Sequence, residues 1–192
     1  MNDTPNSPTT RGGLAGLEAL LGQQAGDKLP PVEMWNPPYC GDIGMRIARD
    51  GVWHYQGSPI GRKPMVKLFS RVLRRDEDGR FYLVTPVEKV DVAVDDAPFL
   101  AVEMDVIGSG EDQSLIFRTN VDDVLRCGAS NPLRFVEEEG SGGLKPYVLV
   151  RGRLEALVTR AIYYDLVEIA VDQGSRTGIW SDGTFFPLEP VG

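Results

Sequence analysis

The spacing of hydrophobic residues changes several times along the chain. Residues 157–170 are apolar at 10 of 14 positions, which predicts a largely buried helix. A second helix is predicted over 64–75, with a proline in its first turn and apolar residues at i, i+3, i+4, i+7 and i+8: Met65, Leu68, Phe69, Val72 and Leu73. The chain therefore has one main helix in each half.

Short runs rich in β-branched and aromatic residues surround these helices and predict strands. The predicted strands cover 81–84, 90–94, 100–106, 115–119, 133–136 and 147–154, whereas 121–132 has no clear pattern. Asp50-Gly51 and Asp182-Gly183 each favour a type I′ hairpin turn, because both dipeptides accept the two positive φ angles. In the second hairpin a two-residue turn places Trp180 opposite Phe185.

These elements predict an α+β fold of two similarly built small modules, which suggests duplication. The predicted divisions are a tail and arm at 1–38, a first module at 39–113 and a second at 114–192. A shift of 82 residues aligns similar residues, for example Lys63-Pro64 with Lys145-Pro146. The first pair leads into a predicted helix and the second into a predicted strand, so an exact register stays open.

The N-terminal region has a composition of its own. Residues 1–13 contain almost nothing apolar, which predicts a mobile tail. Leucines at helical spacing over 14–21 predict a short helix that is marginal alone and docks or frays. Four prolines over 29–38 predict an extended arm, with Trp35 lying on the body of the protein.

Composition and charge narrow the class of protein. Apolar residues make up 42% and charged residues 25%, as in ordinary globular domains. A net charge of -8 opposes binding to nucleic acid or to an anionic membrane. With two distant cysteines, and neither a signal-peptide pattern nor a membrane span, we expect a reduced cytoplasmic protein, although one disulfide stays open.

Basic residues concentrate in one acid-free stretch, 51–75, which holds six lysines and arginines. On a helix over 64–75, four of them lie opposite the apolar face: Lys67, Arg71, Arg74 and Arg75. This is either a solvated face that pairs with nearby acidic residues or a surface that binds an anion or an acidic partner. The candidate ligand-binding residues here are Arg62, Lys63, Lys67 and Arg71.

A second group of candidates lies on the strand that starts at Tyr147. Strict alternation places Tyr147, Arg151 and Arg153 on one face. Two guanidinium groups beside an aromatic ring suit a carboxylate or phosphate, because each offers a planar fork of donors. The same arginines are equally able to pair with Glu103, Asp105 or the acids at 137–139.

Evidence for catalysis or metal binding is weak in this sequence. Asp91, Glu103 and Asp105 fall on polar faces of neighbouring predicted strands, where carboxylates are usually solvated. His54 is the single histidine, and no Gly-x-Ser-x-Gly elbow accompanies it. The glycine-rich stretch 140–145 does not satisfy the phosphate-loop pattern. No catalytic residue, metal or cofactor is predicted.

Several strings of residues, in order, resemble an uncharacterised bacterial family, number 1285 among the domains of unknown function. They are CGDI at 40–43, RIARDGVW at 46–53, GSPIGR at 57–62, YLVTPVEK at 82–89 and VRGRLEAL at 150–157. The resemblance spans about 33–188. It implies a duplicated α+β core with a second half similar to the pleckstrin-homology fold, favours binding and a signalling role, and supplies no catalytic residue.

The leading expectation is a non-enzymatic binding or adaptor protein of bacterial signal transduction. It would recognise a protein, peptide or small anionic ligand at the seam between its modules, through the seven basic and aromatic candidates above. The alternative is a hydrolase or transferase for a phosphorylated or acidic substrate, with Asp91 or Glu103 as the base. Ligand identity and oligomeric state stay open.

Overall fold

The chain folds as two compact units of similar size, both rich in β-strand with few helices. A computed structural model describes residues 13–22, 26 and 28–191. Unit 1 runs to Ile47 and continues over Val52–Ala93, whereas unit 2 comprises Ala48–Gly51 and the chain from Val94 onward. The predicted boundary after residue 113 lies inside unit 2. The tail predicted over 1–13 lies outside the described residues, except for Gly13.

Unit 1 is built on a six-stranded sheet with two helices. Its strand order is β3-β2-β1-β6-β5-β4. The large side chains of Ile47, Trp53, Phe69, Leu73 and Leu83 are fully buried and form its core. The elements are α1 (Gly13–Gly22), β1 (Tyr39–Ile47), β2 (Trp53–Tyr55), β3 (Ser58–Pro59), α2 (Lys63–Ser70), β4 (Leu73–Arg75), β5 (Phe81–Val84) and β6 (Lys89–Val94).

The helix predicted over 64–75 is too long, because α2 ends at Ser70. Leu73–Arg75 forms β4 instead and pairs antiparallel with β5, in the register Leu73↔Leu83 and Arg75↔Phe81. The turn that joins these strands contains Gly79 at φ 79. Val72 and Leu73 are buried as their spacing suggests. The pairing with β5 satisfies backbone groups that a longer helix would have used.

The two Asp-Gly hairpins form, but only one has the predicted turn. Ile47 pairs with Trp53, so the first loop has five residues, and Gly51 alone has a positive φ of 82. Asp182 and Gly183 both have positive φ angles, 50 and 71, as a type I′ turn requires. The predicted pairing of Trp180 with Phe185 is confirmed, with ring centres 5.3 Å apart.

Unit 2 contains two sheets and one helix. Its larger sheet has the order β10-β11-β12-β7-β8-β9, in which two antiparallel meanders meet through the parallel pair β12 and β7. The smaller sheet has the order β13-β14-β15. The elements are β7 (Phe99–Ile107), β8 (Ser114–Thr119), β9 (Val124–Arg126), β10 (Leu133–Glu137), β11 (Leu144–Arg151), β12 (Leu154–Val158), α3 (Arg160–Glu168), β13 (Val171–Gln173), β14 (Arg176–Ser181) and β15 (Thr184–Pro187).

The helix predicted over 157–170 begins in the structure at Arg160, three residues after its predicted start. The prediction that this helix is largely buried is wrong. Residues 154–158 form β12, with the alternate residues Leu154, Ala156 and Val158 buried. In α3 only Ile162 and Leu166 are buried, one turn apart. The opposite face of α3 is exposed to solvent: Tyr164 on that face is 54% exposed.

The expectations on the cysteines and on membrane-spanning helices can be compared with the structure. Cys40 and Cys127 are both free thiols, and Cys127 is fully buried. Within 13–22, 26 and 28–191, no helix has the length and apolar character needed to cross a membrane.

Candidate ligand pocket

The four candidates around α2 are partly engaged within unit 1. Arg62 forms an ion pair with Glu18 of α1, at 2.9 Å. Arg71 donates hydrogen bonds to the carbonyls of Gly26 (2.6 Å) and Lys28 (2.5 Å). Lys63, the first residue of α2, is exposed, and Lys67 is half-buried. The basic face of this helix therefore holds the N-terminal segment.

The arginines at the end of β11 do not share one face with Tyr147 by strict alternation. The register of β11 against β12 shifts between Leu149 and Arg151, and Arg153 lies in the turn after β11. Arg151 forms an ion pair with Asp123 and lies 5.1 Å from the ring centre of Phe99. Whether these arginines bind a ligand stays a prediction.

Tyr147 is the centre of a polar network on β10, β11 and the turn before β7. Its hydroxyl donates to Asp96 at 2.6 Å, and Lys145 forms an ion pair with the same carboxylate. Arg134 lies 4.7 Å from the Tyr147 ring centre and donates to Glu155 at 2.6 Å. Burial by itself lowers the pKa of Lys145, but the hydrogen bonds and charges of Asp96 and Tyr147 together outweigh burial, and the pKa is raised.

The carboxylates considered as a shared acid/base site are not brought together on one sheet. Asp91 lies on β6 of unit 1, where it accepts hydrogen bonds from Tyr39 and Arg80. Glu103 lies on β7 of unit 2 and pairs with Arg118, whose hydrogen bonds lower the pKa of Glu103. A lowered pKa weakens a carboxylate as a base. In the described part of the chain, no three His, Cys, Asp or Glu residues cluster as metal ligands.

Unit 2 contains a pocket of about 380 Å³ beside the start of α3. Its polar lining comes from the loop between β10 and β11, from β11 and from α3: Glu138, Ser141, Lys145, Arg160, Tyr163 and Tyr164. Leu144 and Leu157 supply an apolar wall. This volume lies within the range of small-molecule sites, and an apolar wall with a few polar groups is their usual lining.

Helical spacing places the key side chains of α3 together. Arg160 is the first residue of α3, and Tyr163 and Tyr164 follow at i+3 and i+4, so all three share one face. The Nε of Arg160 donates to the Tyr164 hydroxyl at 3.1 Å. This hydrogen bond is the main reason that the pKa of Arg160 is raised, with a smaller contribution from Glu138. Arg160 is therefore cationic at any working pH.

The loop between β10 and β11 has an ordered internal structure. The amide of Glu138 donates to the Gly143 carbonyl at 2.7 Å, and Gly140 and Gly142 adopt positive φ angles of 86 and 66. The Ser141 hydroxyl donates to the Glu138 carboxylate at 2.7 Å. The loop thus presents one oriented carboxylate to the pocket that Arg160 lines.

Sequence reasoning missed Arg160 and Tyr164 as site residues, because it placed them inside a buried helix. Two signals would have moved the helix start. Thr159 is a residue type favoured at helix N-caps, and the alternation of Leu154, Ala156 and Val158 is that of a strand. A helix beginning at Arg160 exposes the face that carries both tyrosines.

The fold and the pocket define a two-domain, β-rich protein with a small candidate ligand site in its second unit. Family models for the domain of unknown function DUF1285 match both parts, its N-terminal domain over 30–97 and its C-terminal domain over 98–188. The chain belongs to this DUF1285 family.

Two solved structures support the assignment. A DUF1285 family protein from Silicibacter pomeroyi DSS-3 is 49% identical, with a TM-score of 0.87 over 95% of this chain and 97% of its own. A DUF1285 family protein from Shewanella baltica OS155 is 26% identical, with a TM-score of 0.52 over 66% of this chain and 91% of its own. Among curated proteins, none matches this sequence.

Proposed function

We propose that this chain is a non-enzymatic binding protein, and that the pocket beside α3 takes a small anionic ligand with an apolar body. The observation that carries the proposal is the state of Arg160. Among the described residues its hydrogen-bond partner is the hydroxyl of Tyr164, and the Glu138 carboxylate acts on it through its charge without an ion-pair contact. The terminal nitrogens of its guanidinium remain able to grip a carboxylate or phosphate as a fork.

The rest of the lining supports a ligand with two different ends. Leu144 and Leu157 offer apolar surface, and the rings of Tyr163 and Tyr164 lie 6.1 Å apart at the pocket. Lys145 is already neutralised by Asp96, so it adds less attraction for an anion than Arg160 does. An aromatic or aliphatic chain that ends in a carboxylate or phosphate matches this arrangement.

Isothermal titration calorimetry with phenylacetate, hexanoate and phenyl phosphate tests the proposal. Phenylacetamide is the matched uncharged ligand, and it should bind much more weakly than phenylacetate. Arg160→Ala should weaken anion binding roughly 10-fold or more, because the anion loses its charged hydrogen-bond donor.

Arg176→Ala is the matched control, since Arg176 is an exposed arginine of unit 2 that pairs with Glu189 away from the pocket lining. It should leave the affinity unchanged. If no anion of the panel binds the wild-type chain, or if both variants lose affinity equally, the pocket is not the site. Release of phenol from phenyl phosphate would contradict the non-enzymatic assignment.

A second prediction concerns Glu138, whose carboxylate faces the same pocket. Glu138→Gln should tighten anion binding roughly threefold, because removing the repulsion of one like charge across a small site in water is worth about 0.6 kcal/mol. Glu139→Gln removes the same charge from the neighbouring residue, which does not line the pocket. Equal effects of the two substitutions in the same titration would show that only the loop's overall charge matters.

The broader expectations from the sequence and from the family resemblance are kept within this proposal. They are a role in bacterial signal transduction, a cytoplasmic location, and an α+β core by duplication with a pleckstrin-homology-like second half. The order of unit 2, in which a run of mainly antiparallel strands precedes a single helix, supports the last of these.

A further inference from the structure

The N-terminal helix α1 is an addition to the family domain, whose match begins at residue 30. It packs against α2, and its leucines Leu17 and Leu21 are only 5% and 2% exposed. Glu18, on the same side of α1, pairs with Arg62 at the residue before α2. A segment outside the family domain therefore covers one of that domain's surfaces.

Short-range forces do not explain why α1 is helical. It has ten residues, including Gly13, Gly16 and Gly22, and it carries no acid in its first turn and no base in its last. Helices of this length and composition are marginal in water. The helix forms because α2 provides a surface on which its leucines are buried, so docking and helix formation are coupled.

The surface that α1 covers has two chemical parts. Its apolar part is seen from α1, whose Leu17 and Leu21 are almost completely buried on docking. Its charged part consists of basic residues on and beside α2, of which Arg62 and Arg71 contact the N-terminal segment: Arg62, Lys63, Lys67 and Arg71. A surface that buries leucines beside basic residues is complementary to an amphipathic helix with acidic residues beside its leucines.

We propose that this face of α2 is a docking site for an acidic amphipathic helix of a partner protein, and that α1 is the built-in occupant which the partner displaces. The partner helix carries leucines at i and i+4 with an acid at i+1, the pattern that Leu17, Glu18 and Leu21 supply in cis. The proposal is independent of the pocket in unit 2.

The test measures whether an undocked α1 frees the site. The probe is a fluorescein-labelled synthetic peptide of residues 11–24, and its anisotropy is followed with the full chain. Leu17→Asp with Leu21→Asp should detach α1 and make the chain bind the peptide at least roughly tenfold more tightly than wild type does. Ala15→Asp with Ala19→Asp adds the same charge on the exposed side of α1 and should change nothing.

A charge exchange tests the register and separates docking from misfolding. In the Leu17→Asp, Leu21→Asp chain, Arg62→Glu should weaken peptide binding, and a peptide with Glu18→Arg should restore it. The proposal would be overturned if the peptide binds neither chain, or if it binds wild type and variant equally. It would also be overturned if the charge exchange leaves peptide affinity unchanged. Dimerisation of wild type that the leucine substitutions abolish would assign the face to a second copy and overturn the partner assignment.

Discussion

Arg74→Ala is expected to lower the free energy of unfolding by about 3–5 kcal/mol, the range for breaking a buried ion pair by removing one partner. The Arg74 side chain is 9% exposed, and its Nε lies 2.5 Å from Asp76. Its Nη1 also donates to the carbonyls of Val32 (2.7 Å) and Trp35 (2.8 Å). The substitution removes the donor to all three groups, so the proline-rich arm is released as well.

The measurement is urea unfolding followed by circular dichroism, with tryptophan fluorescence as a second probe. The low end of the range is expected, because Lys89 still reaches Asp76 at 3.1 Å. Arg80→Ala is the matched control. Arg80 pairs with Asp91 at 2.5 Å but is 58% exposed, so its loss should lower the free energy of unfolding far less than the loss of Arg74 does. Equal losses would show that burial of Arg74 adds nothing.

The same ion pair has a defined pH dependence. Burial alone raises the pKa of Asp76, but hydrogen bonds from Arg74 and Lys89 outweigh it and lower the pKa below its ordinary value of 3.8. A carboxyl with a depressed folded pKa stabilises above the unfolded value and loses that contribution as the pH falls through the folded pKa. The stability difference between wild type and Arg74→Ala should therefore narrow in acid below about pH 3.8.

Gly178→Ala is expected to destabilise unit 2 by about 3 kcal/mol, at the upper end of the cost of overpacking. Gly178 is buried on β14, opposite Pro187 of β15. An added Cβ would lie 2.5 Å from Cζ of Phe185 and 2.6 Å from the carbonyl oxygen of Phe186. The ring can turn away, but the carbonyl belongs to the hairpin backbone and cannot move without disturbing the strand pairing.

Fluorescence of Trp180 during urea unfolding reports this change, because its ring packs against Phe185. Gly61→Ala is the control, since a Cβ at Gly61 would meet nothing within 4 Å. It should be neutral or stabilise by about 0.4–1 kcal/mol. An unchanged urea midpoint for Gly178→Ala would mean that the β14–β15 hairpin tolerates the extra methyl group.

Prediction from sequence succeeded where neighbouring residues decide the outcome. The Asp182-Gly183 turn and the pairing of Trp180 with Phe185 depend on two φ angles and on strict alternation. The α2 helix begins where Pro64 and the apolar spacing predict. The predicted end of α2 was wrong, because Leu73–Arg75 forms β4 instead. This strand pairs with β5, which follows the next turn.

The candidate site was harder to predict, because the role of a charged residue depends on which partners the fold places beside it. Arg62 and Arg71 have the sequence signature of anion-binding residues, yet they hold Glu18 and two carbonyls of the N-terminal segment. Arg160 had no signature beyond its place in an apolar stretch. It became the leading candidate because the pocket lies beside it and its partner there is a neutral hydroxyl.

The sequence by itself determined the family, the two-module organisation, the Asp182-Gly183 turn and the position of each main helix to within a few residues. Local φ preferences and hydrophobic periodicity specify these features without reference to distant parts of the chain. Only the tertiary structure decided where α2 and α3 end or begin, which arginines are engaged, and where a pocket forms. Those outcomes depend on contacts between residues far apart in sequence, such as Glu18 with Arg62 and Asp96 with Lys145.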